Sequence, residues 1–209
     1  LLEMPLSPRL YHWFVRPQWI TKKYIHDHIQ KHFQMENKFI LDFGSGTGAN
    51  CSICHSDRYL GIEPDMDRVR LAKRLYPNHT FEIFDERQIP IENNSIDYIF
   101  VVAVLHHISD EQIRSYLVEF ERILKPGGKV IVMEPYLCIK RRFNNRFMNW
   151  YDDGKYIRSE MSYLDLFKKG QFECEVIKKF TKCMVYNEIY FTAEPTWQLI
   201  RALERDQSM

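Results

Sequence analysis

The sequence predicts an α/β fold, a mostly parallel sheet with helices on both faces, and three observations carry that reading. Strand-like and helix-like patterns alternate along 209 residues without an internal repeat. The run from Phe39 to Phe43 is apolar around Asp42 and enters a loop with glycine at 44, 46 and 48, the composition of a strand turning tightly toward a helix. The stretch Ile96 to Ala103 is almost continuously apolar after Asp97, as a central parallel strand covered on both sides must be.

The elements follow in order. A helix is expected from about Gln18 to Phe33, because Ile25, Ile29 and Phe33 recur at helical spacing after Pro17. It leads into the first strand and its glycine loop, and the helix after that loop should offer backbone N–H groups to an anionic part of a ligand. RYLGIEP forms a second strand closing on Glu63, and a helix runs from about Asp65 to Tyr76 with Val69, Ala72 and Tyr76 on one face and Pro77 as its stop. HTFEIF gives a third strand that ends at Asp85. After the fourth strand, Ser109 and Gln112 form a capping-box pattern for a helix whose face is Ile113, Leu117, Phe120 and Leu124, and KPGG ends it. KVIVMEP is the fifth strand. Tyr136 to Arg158 reads as irregular and basic-aromatic, followed by a helix from Met161 to Lys169 and extended segments at Cys174 to Phe180 and Tyr186 to Thr192.

Composition narrows the function classes. Lysine plus arginine number 29 against 28 aspartate plus glutamate, which argues against a dedicated nucleic-acid binder. No apolar run reaches the roughly 18 residues of a membrane span and the first residues lack a signal-peptide pattern, so a cytoplasmic location is expected. Position 1 is leucine, which makes Met4 a candidate native start. Five cysteines without framework spacing fit a reducing compartment. Cys51, Cys54 and His55 spell the haem-attachment pattern CSICH, but the motif falls in the first turns after the glycine loop, and no second CxxC or paired histidines complete a metal site. No metal is expected.

The glycine loop alone leaves its cofactor open: Gly44, Gly46 and Ala49 satisfy the dinucleotide pattern, and Glu63 lies where a ribose-binding acid belongs. The features after it decide. Glu63, Asp85, IPIENNSIDYIFVVAVLHHI and FERILKPGGKVIVMEP, in this order over about residues 35 to 135, resemble the class I S-adenosylmethionine (SAM) dependent methyltransferases of the type 11 group. That resemblance implies a Rossmann-like, seven-stranded, mostly parallel sheet with the last strand antiparallel, SAM as methyl donor and S-adenosylhomocysteine as product. It divides the single domain into an N-terminal lid and helix (1–34), a SAM-binding core (35–135), a substrate cap (136–158), a closing helix and strands (159–195) and a short helix or tail (196–209).

The same resemblance assigns site residues. Gly44, Gly46 and Gly48 match the loop under the methionine part of SAM, and Asp42 matches a residue that helps hold its ammonium group. Glu63 matches the acid that accepts from both ribose hydroxyls, a task for a carboxylate with two acceptor oxygens. Asp85 matches the acceptor for the adenine amino group, Glu86 a backbone donor to the ring, and Ala103 a position whose backbone faces the reactive end. For chemistry, His107 matches the more regular histidine of the pattern, and Tyr11 is a candidate partner from the N-terminal lid. The acceptor pocket is expected from the aromatic start, with Trp13, and from the 140–158 segment, where Arg142, Arg146 and Tyr151 could recognise an anionic, sugar or natural-product intermediate through arginine forks. The expected protein is a monomer or homodimer acting on oxygen, nitrogen or carbon of a small molecule. A nicotinamide-dependent oxidoreductase and a non-catalytic SAM-binding protein are the rival readings.

Overall fold

A computed structural model of the chain describes residues 18–85, 88–151 and 154–197. It divides into two compact units, Leu1–Ile89 and Pro90–Met209.

In the first unit the helical segment starts as α1 (Gln18–Thr21), widens into a π-helical turn over Lys22–His26 and continues as α2 (Asp27–His32). The expected single helix is thus interrupted by a π turn, which rotates the face so that Thr21, Ile25, His26 and Ile29 are all buried. Strands β1 (Ile40–Phe43), β2 (Tyr59–Glu63) and β3 (Thr80–Ile83) pair in parallel in the order β3-β2-β1, with Asp42 opposite Gly61 and Glu63 opposite Ile83. Between β2 and β3 lies α3 (Met66–Leu75), capped by Asp65, whose carboxylate accepts from the N–H groups of Asp67 and Arg68. Val69 and Ala72 face the core as expected, while Tyr76 lies just past the helix as its C-cap and is half-buried.

One expectation fails here. No α-helix follows the glycine loop; the chain makes a five-residue 3-10 turn, Ala49–Ile53, and a second short one, Ser56–Arg58. Asn, Cys and Ser in ANCSI have weak helix propensity, and a single 3-10 turn carries little of the helix-end field that was to meet an anion.

The second unit contains β4 (Ile96–Val102), a 3-10 turn at Leu105–His107, α4 (Asp110–Ile123), β5 (Leu124–Leu137), α5 (Arg142–Tyr151), β6 (Arg158–Ser159), α6 (Glu160–Lys169), β7 (Phe172–Lys182) and β8 (Tyr186–Pro195). β4 pairs with β5 in parallel, while β8 runs antiparallel to both β5 and β7. Its core joins Ile99, Phe100 and Val101 to Val130–Met133, Ile113, Leu117 and Phe120 of α4, and Tyr163 and Phe167 of α6. The capping box at Ser109 and Gln112 forms as its spacing predicts. Extended structure begins directly after α4, earlier than KVIVMEP suggests, with Leu124 opposite Ile96. The segment read as irregular, 136–158, instead contains the ten-residue helix α5.

Candidate cofactor and catalytic sites

In the first unit the glycines of the loop have distinct jobs. Gly48, at φ +84°, lies so close to Phe81 that a Cβ would stand 2.6 Å from its ring, so this glycine seats the loop on the sheet. Gly46, at φ +56°, would place a Cβ with nothing within 4 Å, so its face of the loop is open. Both conformations disfavour any residue with a side chain.

The Gly46 N–H points instead at Glu63, donating to Oε2 at 2.9 Å, and the Asp65 N–H donates to Oε1 at 3.3 Å. Glu63 is 5% exposed. Burial pushes its carboxyl above the ordinary value; the Arg68 guanidinium, 4.0 Å away, and the two N–H donors oppose that shift without cancelling it. A buried carboxylate in this condition gains from every further donor it receives.

Asp42 is buried beneath the loop and already engaged: Tyr59 donates its hydroxyl to Oδ2 at 2.7 Å, and the Asn50 amide donates at 3.1 and 3.2 Å. Burial first, and the Asp42 charge second, raise the Tyr59 hydroxyl well above its usual pKa. Burial first and the Asp42 charge second lift the Cys51 thiol to about 12, and Cys54 is raised further, so both stay protonated thiols. Asp85 is exposed, two residues beyond the last residue of β3.

In the second unit β4 is followed by Ala103, which takes the left-handed conformation (φ +57°) and donates its N–H to Met133 O at 2.8 Å. The turn that follows is held from two sides. Glu134, fully buried on β5, accepts from the N–H groups of Val104 (2.6 Å), Leu105 (2.8 Å) and His106 (3.3 Å). Its Oε2 also lies 2.8 Å from His106 Nδ1. A carboxylate is an acceptor only, so its position assigns the proton of neutral His106 to Nδ1.

Arg158 closes the other side. It donates to the carbonyls of Leu105 (2.7 Å), Ile108 (2.7 Å) and Tyr156 (2.9 Å) and to Asp110 Oδ1 (2.6 and 2.8 Å), while the Tyr156 N–H donates to His106 O at 2.9 Å. Arg158 belongs to the basic run that was expected to recognise an anion, but this arginine is 8% exposed and committed to the turn. On the turn so fixed, His106 is buried and His107 exposed, with ring centroids 4.0 Å apart. The sequence reading gives Glu134 no role, and places Arg158 in the acceptor-binding stretch instead of under this turn.

Arg142 and Arg146 stand exposed on α5. Tyr11, Trp13, Glu86 and the Tyr151 side chain lie outside the described residues.

Residues 41–132 match the methyltransferase domain family, type 11. An uncharacterised methyltransferase of Anoxybacillus flavithermus is 31% identical over 94 residues, covering 44% of this chain and 44% of its own length. The chain therefore spans less than half the length of the curated relatives it matches. Among solved structures, a SAM-dependent methyltransferase of Thermotoga maritima superposes with a TM-score of 0.67 at 17% identity, over 89% of this chain and 96% of that one. A Haloferax volcanii methyltransferase in complex with the Trm112 activator gives a TM-score of 0.67 at 15% identity over 90% and 96%. At such identities the likeness establishes the fold, the Rossmann-like α/β architecture of class I methyltransferases.

Proposed function

We propose, for a chain whose residues 41–132 match the type 11 methyltransferase domain family, an enzyme that moves a methyl group from SAM to oxygen, nitrogen or carbon of a small molecule. The observation that carries the reading is Glu63, a buried, incompletely compensated carboxylate bonded to the open Gly46 of the loop.

The residues present fit that cofactor. Glu63 has acceptor capacity for two ribose hydroxyls, and Ser45 Oγ and Asn50 Oδ1 in the same loop are buried without a hydrogen-bond partner among the described residues. Gly44, Gly46 and Gly48 would pass beneath the methionine part, and Asp42, through the Asn50 and Tyr59 bonds, would fix the loop and lend it negative charge. Asp85 would accept from the adenine amino group, Glu86 would donate its N–H, and Ala103 would present backbone to the reactive end. Bound SAM supplies an electrophilic methyl on a sulfonium, whose transfer needs chiefly orientation and exclusion of water.

His107 is the histidine able to meet a substrate, because His106 is committed to Glu134. His107 would take the proton of a hydroxyl acceptor, with Tyr11 as its partner, and Trp13, Arg142, Arg146 and Tyr151 are the candidates for holding the acceptor. The test is S-adenosylhomocysteine formation with a panel of hydroxyl and amine acceptors. Turnover is expected, with a loss of ~10² or more in His107→Ala. Full turnover in that variant contradicts the base assignment, and SAM binding with no turnover on any acceptor favours a non-catalytic SAM-binding protein.

A further inference from the structure

Helix α5 buries one face and leaves a second, aromatic one largely exposed among the described residues, with Phe147 half-buried between Phe143 and Trp150. Asn144 and Met148 turn inward: both are buried, and the Asn144 amide donates to Asn187 Oδ1 at 3.1 Å and to Met184 O at 3.4 Å. Phe143, Phe147 and Trp150 follow the i, i+4, i+7 spacing of a second stripe, and Phe143 is 73% and Trp150 81% exposed. Two further apolar side chains stand out beside this helix. Ile139, three residues before it, is 89% exposed, and Met184, in the β7–β8 turn that receives the Asn144 amide, is 86% exposed. That turn holds Cys183 and Met184 at φ +50° and +65°, a conformation that costs free energy at non-glycine residues.

Charge accompanies the stripe. Cys138 to Tyr151 contains Lys140, Arg141, Arg142 and Arg146 and no acid. Arg142 and Arg146 lie on the helix edge adjoining the aromatics, and among the described residues no carboxylate pairs with either. Aromatic and aliphatic groups in one stripe, with long cationic side chains along its edge, are what a helix lying in the plane of a bilayer surface requires.

We infer that α5, with Ile139 and Met184, is a docking surface for an anionic lipid bilayer, on which the protein binds peripherally. Charge complementarity decides for this occupant. A second copy meeting the same patch face to face would bring two sets of cations together. A single-stranded nucleic acid would use the arginines and aromatic rings but gains no stacking from Ile139 or Met184, whereas the acyl boundary buries both kinds of side chain. This inference gives Arg142 and Arg146 to the lipid surface instead of the methyl acceptor, and it is tested by vesicle binding, without turnover.

The experiment is flotation of the full chain with vesicles of phosphatidylcholine alone and with about 30% phosphatidylserine. Expected is binding to the anionic vesicles that weakens with salt, falls about thirtyfold in the double variant R142Q/R146Q at roughly one charge's worth per residue, and is lost in F143S/W150S. These side chains are exposed, so thermal melting of the variants should match the parent. Several results would overturn the inference. They are no preference for anionic vesicles, F143S/W150S binding as the parent does, tighter binding to a uridine homopolymer than to vesicles, or a concentration-dependent dimer that F143S/W150S dissolves.

Discussion

Glu63 and Glu134 are both buried carboxylates, the first closing β2 and the second three residues before the end of β5, and both accept from backbone N–H groups. Glu134 receives three N–H donors and an imidazole, all from the turn that follows β4, so its bonds are spent on holding one piece of chain. Glu63 receives two, one of them long, and its carboxyl stays raised by burial. The same residue type therefore serves as a clamp where the fold completes its bonding and as a receptor where the fold leaves it incomplete. The number of donors distinguishes the two roles.

The largest effect expected from this contrast is at the clamp. Glu134→Ala would strand three buried N–H groups and His106 Nδ1, and should cost about 3 kcal/mol or more in a urea denaturation. A loss below about 1 kcal/mol would mean that water or a shifted turn replaces the carboxylate, and the clamp would not be one.

At the receptor the sign reverses. The folded-state pKa of ligand-free Glu63 lies above its unfolded value, so its contribution favours the fold below the unfolded pKa and is lost as pH rises through the folded one. Glu63→Gln, which removes the charge and keeps an acceptor for one N–H, should thus be at least as stable as the parent at neutral pH without ligand. Its advantage should shrink as pH falls into the carboxylate range. Denaturation at two pH values checks this, and a variant equally destabilised at both would make Glu63 a clamp like Glu134.

What could be read from the sequence divides along the same line. Asp42, Glu63 and Asp85 announce themselves because each follows an apolar run, and the capping box at Ser109 is encoded within four residues. Glu134 also ends an apolar run, yet its partners lie 28 to 30 residues upstream, and those of Arg158 lie up to 53 residues upstream. No local pattern reports such pairings. Helix α5 was hidden for another reason: its aromatic stripe has helical spacing, but the basic run across it reads as a solvated loop. The missing helix after the glycine loop reflects ANCSI, whose side chains do not favour one.

The comparison rests finally on whether Glu63 receives a ligand. Calorimetric titration of the parent and of Glu63→Ala with SAM, with NADH as control, measures that directly. The account predicts one SAM site per chain, no binding of NADH, and an affinity ten to a hundredfold lower in the variant, the ~1.5 to 3 kcal/mol of a hydrogen bond to a charged group. Equal SAM affinity in the two proteins would contradict it.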